Sequence, residues 1–189
     1  MSTLHVKEIR MICGLGNPEP QYAFTRHNIG FAVVNALAQA YNVRYWKDEA
    51  GAQVAEVAST HQPILLIKPQ SYMNTSGGPL SKVARAHKIK PTEILVIHDE
   101  VDLPEGQNRV KFGGGLNAHN GLRSVADKLG TKDFARLRMG IGRPPGKMDV
   151  ATYVLRDLKN TAREEFLFNA QVGAELCQQC ISSGISTLL

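Results

Sequence analysis

The sequence predicts an α/β fold in a single domain. Short apolar runs of strand length alternate with segments of helical period along the chain. One run, Ile94-Leu-Val-Ile97, is continuously apolar, as expected of a strand covered on both faces. No Pro-, Gly- or Ser-rich linker divides the 189 residues, a length that one core can serve.

Taken in order, the expected strands are Arg10–Leu15, Ala52–Ala58, Ile64–Lys68, Ile94–His98, Val110–Gly113 and Ala135–Gly140. Four helices separate or follow them. Over Asn28–Asn42, apolar residues fall at Ile29, Val33, Ala36, Leu37 and Ala40, one face at helical period. Pro79–His87 repeats the pattern with Leu80, Val83 and Ala84, and places proline at the entry, where its missing N–H is tolerated. Gly121–Leu129 carries Leu122, Val125 and Ala126, with Gly130 as the stop. The last helix is expected to begin at Thr161 with a capping box to Glu164, and to run through Phe166, Ala170, Ala174, Cys177 and Ile181. Arg143-Pro-Pro-Gly-Lys147 reads as a basic turn.

Composition narrows the class. Apolar residues make up 43% and charged residues 21%, an ordinary globular balance. No apolar stretch approaches the ~20 residues of a membrane span. The N-terminus has neither a charged segment followed by an apolar one nor an Arg/Ser-rich transit pattern, so a cytoplasmic location is expected. Three cysteines, an odd number, cannot all pair within the chain, which agrees with a reducing compartment. The net charge of +5 is uneven. Between positions 106 and 149 nine basic residues face three acidic ones, a net +6, and the remainder of the chain stands at −1. A basic segment on a near-neutral body suits a polyanion, because phosphates are met by Lys and Arg; a merely solvated basic face reads the same way in sequence.

Two familiar motifs fail. Gly14-Leu-Gly16 after a strand suggests a dinucleotide site, but Glu19 stands where the third glycine should, flanked by Pro18 and Pro20. Cys177-Gln-Gln-Cys180 with His98-Asp-Glu100 echoes a zinc deaminase, but Leu176 replaces the required proline and Cys177 lies on an apolar helix face. No metal site is expected.

What survives is a set of polar clusters at strand ends, where open α/β sheets bind ligands. They are Asn17, Tyr22 and Arg26-His27-Asn28; Met73 and Asn74 in the segment after Lys68; His98-Asp99-Glu100; and His119-Asn120, in a glycine-rich turn that opens a helix. A carboxylate such as Asp99 bound to one nitrogen of His27 leaves the other to take a proton, and without a placed serine or cysteine the proton donor is a water. Asn17, Asn74 and Asn120 each pair a donor with an acceptor, as a peptide backbone does. Each has a plainer reading: His27 as a surface or capping residue, Asn74 in a turn, Asn120 as an N-cap, Tyr22 and Met73 as packing.

Five stretches carry a resemblance: GLGNPEPQYAFTRHNIGF (14–31), KPQSYMNTSG (68–77), HDEVDLPEG (98–106), HNGLRS (119–124) and FARLRMGIGRP (134–144). Together they resemble bacterial peptidyl-tRNA hydrolases over nearly the whole length. The resemblance implies a monomeric α/β fold with a mixed, twisted sheet flanked by helices, and no metal or organic cofactor. It implies hydrolysis of the ester joining a peptide to the 3′ ribose of tRNA. By position it makes His27 the base and Asp99 its orienting carboxylate, with Asn17 holding peptide and water and Asn120 binding water or the oxyanion. Asn74, Tyr22, Met73 and His119 would line the peptide site, and Lys111, Arg138 and Lys147 would meet RNA phosphates. Asn117 and Ala118 depart from the family's glycines in this loop. A non-enzymatic RNA-binding relative and a general peptidase are the competing readings.

Overall fold

The computed structural model describes residues 8–189. Seven strands form one sheet: β1 Met11–Gly14, β2 Lys47–Glu49, β3 Ala52–Val57, β4 Ile64–Pro69, β5 Ile94–Glu100, β6 Asn108–Phe112 and β7 Ala135–Gly140. Their spatial order is β2-β3-β4-β1-β5-β7-β6. The centre, β4-β1-β5-β7, is parallel, while β3 and β6 run antiparallel to their neighbours, so the sheet is mixed. Among the described residues five α-helices accompany it: α1 Ile29–Ala40, α2 Gly77–Ala86, α3 Asn120–Leu129, α4 Val150–Leu155 and α5 Thr161–Ser183.

Strand alternation splits the core in two. Ile12, Leu66, Leu95, Ile97 and Leu137 face α1 and α5. Met11, Cys13, Ile67, Ile94 and Val96 face α2 and α3. Every residue of β5 is buried, as its continuous apolar run requires. From β1 the chain crosses on one face through α1, and from β4 it crosses on the other through α2. The crevice beyond the carboxyl ends of β1 and β5 is therefore the switch point of the sheet.

The glycines after β1 serve packing. A Cβ on Gly14 would lie 2.2 Å from the Gly30 oxygen, and one on Gly30 would lie 2.5 Å from the Ile97 oxygen. The start of α1 thus rests backbone-to-backbone on β1 and β5, which draws residues 26–28 to the strand ends.

Several expectations change. α5 lacks the Thr161–Glu164 capping box, because Thr161 is already the first helical residue and Asn160, at φ 54°, is the N-cap without a side-chain cap bond. α2 begins at Gly77, so Pro79 sits inside the first turn, where N–H groups need no partner within the helix. β2 and α4 are elements that sequence periodicity does not reveal. β2 is the polar triplet Lys47-Asp-Glu49, held by its antiparallel pairing with β3. α4 follows the basic turn, and the Asp149 side chain accepts the Thr152 N–H at 2.7 Å as its cap. Gly130 ends α3 in the left-handed region, φ 73°, as expected.

Candidate active site

Asp99, near the end of β5, stands between the starts of α1 and α3, which approach from opposite faces of the sheet. His27 Nδ1 lies 3.0 Å from Asp99 Oδ1 and 2.9 Å from Oδ2. His119 Nε2 lies 2.8 Å from Asp99 Oδ1. One carboxylate therefore holds two imidazoles, whose ring centres are 4.9 Å apart.

The two rings differ in their far nitrogens. His119 is the N-cap of α3, and its Nδ1 accepts the Leu122 N–H at 3.2 Å. Its proton must then lie on Nε2, pointing at Asp99. His27 donates Nδ1–H to Asp99 and keeps Nε2 for another partner. Burial pulls the His27 pKa down, but the Asp99 charge and hydrogen bond outweigh it and hold the pKa above 6.5. For Asp99, burial alone favours the neutral acid; the charges and hydrogen bonds of His27 and His119 prevail and hold it well below the carboxylate range.

Three ligand-type atoms of His27, Asp99 and His119 fall within 4.8 Å of one another, a spacing that would also suit a metal ion. The donor set does not fit one. A cation on His119 Nε2 would drive that ring's proton onto Nδ1, against the Leu122 N–H. The group fits a hydrogen-bonded His–Asp–His arrangement.

Beneath it lies His98, 1% exposed and edge-on to His119 with centroids 5.3 Å apart. His98 Nδ1 donates to the Asp99 carbonyl at 2.9 Å, and Nε2 has no partner among the described residues. Burial, aided by nearby His119 and Arg136, lowers the His98 pKa to about 3, so this ring is neutral.

The His27, Asp99, His119 and Asn120 side opens on a cavity of about 590 Å³, whose other wall is apolar: Val150, Ala151, Val154 and Leu155 of α4. Arg26, stacked 4.0 Å from the Tyr153 ring centre, ties α4 to the residue before His27. A larger cavity of about 730 Å³ lies between Asn17, α1 and α5, away from the histidines.

Comparison with known proteins gives the family. Residues 11–189 match the family model described as peptidyl-tRNA hydrolase. A peptidyl-tRNA hydrolase of Frankia alni is 47% identical over 175 residues, 93% of this chain and 89% of that protein. One from a Mycobacterium species is 43% identical over 176 residues, 93% of this chain and 92% of that protein. The crystal structure of peptidyl-tRNA hydrolase from Acinetobacter baumannii superposes with a TM-score of 0.78 at 32% identity, covering 95% of each chain.

The chain belongs to the peptidyl-tRNA hydrolase family. It is a hydrolase of that family, and its helices include none long and apolar enough to cross a membrane among the described residues.

Against this family background the remaining expected site residues take definite places. Asn17 is 8% exposed. Its backbone N–H and C=O both bond the Asn28 side chain, at 2.9 and 2.8 Å, and its Oδ1 accepts the Met73 N–H at 2.8 Å. Asn17 thus joins two loops, and its Nδ2 is left to donate. Met73 is buried, its sulfur against Gly121 at the start of α3, where a Cβ would lie 2.5 Å away. Asn74 is exposed in the following turn, and Tyr22 is half-buried in the turn before His27. Neither lines the histidine cavity. Asn120 is the first residue of α3 and lines that cavity; the N-cap is His119.

Strand register places the basic residues. Arg109 pairs with Arg138 and Lys111 with Arg136, so all four share one face of β6–β7. Lys111 is exposed there, and Lys147 is exposed in the turn before α4. Arg136 is buried and donates to the Gly113 carbonyl at 2.9 Å. Arg138 meets buried Glu100, Nε and Nη2 each 2.9 Å from Oε1.

Asn28 and Glu100 are the residues whose importance sequence reasoning missed. Alternation along His98-Asp99-Glu100 is the signal that would have turned Glu100 toward the basic face. The zinc echo dissolves: Cys177 and Cys180 are buried in the α1/α5 core, and their thiols are pushed up by burial.

Proposed function

We propose that this chain hydrolyses the ester between a peptide, or another N-blocked aminoacyl group, and the 3′ ribose of tRNA. The observation that carries the reading is the wiring of His27: Nδ1 held by Asp99, Nε2 left over beside the cavity. Water bound at Nε2 gives up a proton as its oxygen attacks the ester carbonyl. The resulting tetrahedral oxyanion is met by the Asn120 amide. The imidazolium, stabilised by Asp99, returns the proton to the departing ribose oxygen. His119 holds the other side of the carboxylate, so Asp99 cannot swing away.

The peptide half of the substrate meets amides: Asn17 through Nδ2 and Asn74 from its exposed turn, with Tyr22 and Met73 shaping the floor. The RNA half meets Lys111, Arg138 and Lys147. An oxygen ester is more easily broken than an amide, and no covalent intermediate is invoked. The protein acts as a cytoplasmic monomer, recycling tRNA from prematurely released peptidyl-tRNA.

The test compares turnover of N-blocked and free aminoacyl-tRNA at several salt concentrations. Cleavage of the N-blocked ester, weakening steeply with salt because phosphate contacts release counterions, supports the reading. Equal cleavage of the free ester, or cleavage of a neutral peptide amide indifferent to salt, rejects it.

A further inference from the structure

The glycine-rich loop between β6 and α3 departs from glycine at Asn117 and Ala118, and both adopt left-handed backbone, φ 49° and 59°. For a residue with a Cβ this conformation is strained, less so for asparagine. Something must hold it. The Asn117 Nδ2 donates to Glu100 Oε1 at 2.7 Å. That same oxygen receives Arg138 Nε and Nη2, each at 2.9 Å. Glu100 is 2% exposed, whereas the Arg138 side chain remains 17% exposed. The next two residues after Ala118 are His119 and Asn120. The other end of the loop is fixed by Arg136 on the Gly113 carbonyl.

We propose that Glu100 is a positioning residue that couples the RNA-phosphate site at Arg138 to the loop bearing His119 and Asn120, with Asn117 as the loop's handle. This rests on the reading of Arg138 as a phosphate contact. One oxygen shared by three donors binds each less strongly than it would bind one. A phosphate that draws Arg138 outward leaves the buried carboxylate more dependent on Asn117. The amide bond then shortens, the strained turn is gripped, and Asn120 is set against the ester. Docking of the RNA body is thereby converted into order at the reacting end, an expenditure of remote binding on the chemical step.

The experiment is a double-mutant cycle with the full chain on N-blocked aminoacyl-tRNA, using Asn117→Gly, Arg138→Lys and the double variant. Glycine accepts the positive φ but lacks the handle. Lysine keeps a cation beside the buried Glu100, so the fold is retained, but has no fork with which to share. Each single change is expected to lower kcat about tenfold, and the double to lower it about tenfold as well, because both act through one carboxylate. Competition by uncharged tRNA supplies the second measurement: Arg138→Lys weakens it and flattens its salt dependence, while Asn117→Gly does not. A double variant slowed about a hundredfold, or an Asn117→Gly effect confined to KM, overturns the coupling and leaves the RNA contact standing. Unchanged tRNA competition in Arg138→Lys overturns the RNA contact itself.

Discussion

Two loops deliver a histidine to Asp99, and they are built in opposite ways. The loop of residues 15–28 is braced by side chains on backbone: Asn28 grips Asn17 at both backbone groups, and Gly14 and Gly30 let α1 lie directly on the sheet. The loop of residues 113–119 is tethered to charged side chains of the sheet, its Asn117 amide donating to Glu100 and its Gly113 carbonyl accepting from Arg136, and it bends through two left-handed residues. The first holds His27 by packing and leaves one of its nitrogens unclaimed. The second engages both nitrogens of His119, one with Asp99 and one with Leu122. A residue that must exchange a proton needs a free lone pair on a rigid mount. A residue that only steadies its neighbour can have every polar atom engaged.

The largest effect is expected where the two loops meet. Asp99→Asn removes the charge that both rings share and is expected to reduce kcat about 10³–10⁴-fold, as loss of an orienting carboxylate does elsewhere. It also has a pH signature. In the mechanism proposed above, His27 works as the neutral ring, so activity is expected to fall as pH drops through the His27 pKa, which Asp99 raises above the ordinary imidazole value. Without the charge only burial remains, and the acidic limb of the kcat/KM profile is expected to move to lower pH. A limb that stays in place separates Asp99 from the titrating group.

Next, exchanging the histidines one at a time should be lopsided. His27→Ala is expected to cost about 10²–10⁴-fold in kcat. His119→Gln, which can still donate to Asp99, is expected to cost roughly tenfold, on the scale of one altered charge-assisted hydrogen bond. A larger loss at His119 than at His27 reverses the assignment of base and steadying group.

His98 tests the ground under the second loop. Its pKa falls from 6.5 to about 3 on folding, so the unfolded chain takes up the proton first. Its contribution to stability is complete above 6.5 and declines as pH falls toward 3. His27, with its raised pKa, acts in the opposite sense, adding stability below 6.5 and losing it as pH rises through its folded value. Urea midpoints of wild type and His98→Gln at pH 7.5 and pH 5 isolate the first effect. The wild type should lose more between the two pH values, and equal losses would place His98 in contact with water.

The smallest effect concerns Ala118. Ala118→Gly relieves left-handed strain of roughly 1–2 kcal/mol and returns about 0.4–1 kcal/mol as unfolded-chain entropy. The net gain is expected to raise the thermal midpoint by about 1–4 °C, read by calorimetry. A lower midpoint shows that the Ala118 methyl packs better than its backbone suffers.

Much of this was legible beforehand where the signal is local. Six strands follow from short apolar runs and the four longer helices from helical period, and Gly130 stops α3 as a left-handed cap should. β2 was not legible, because Lys47-Asp-Glu49 has no apolar alternation and exists only through pairing with β3. α4 was legible in principle, from Asp149 before an apolar run, but six residues are too few to show a period. For the site, residue types and strand-end positions brought His27, Asp99, Asn17, His119 and Asn120 into view, and the structure gathers four of them at one cavity while giving Asn17 to the joint between two loops.

By itself the amino-acid order determined the layers of this protein and the chemical vocabulary at its strand ends, since both depend on neighbours within a few residues. Only the tertiary structure decided that residues 72 and 20 positions away from Asp99 close on the same carboxylate. It also decided which nitrogen of each ring faces it, and that Glu100 joins Arg138 to the loop bearing His119. Those facts depend on strand register and on helices arriving from opposite faces, and a one-residue slip would reverse them without altering any local pattern.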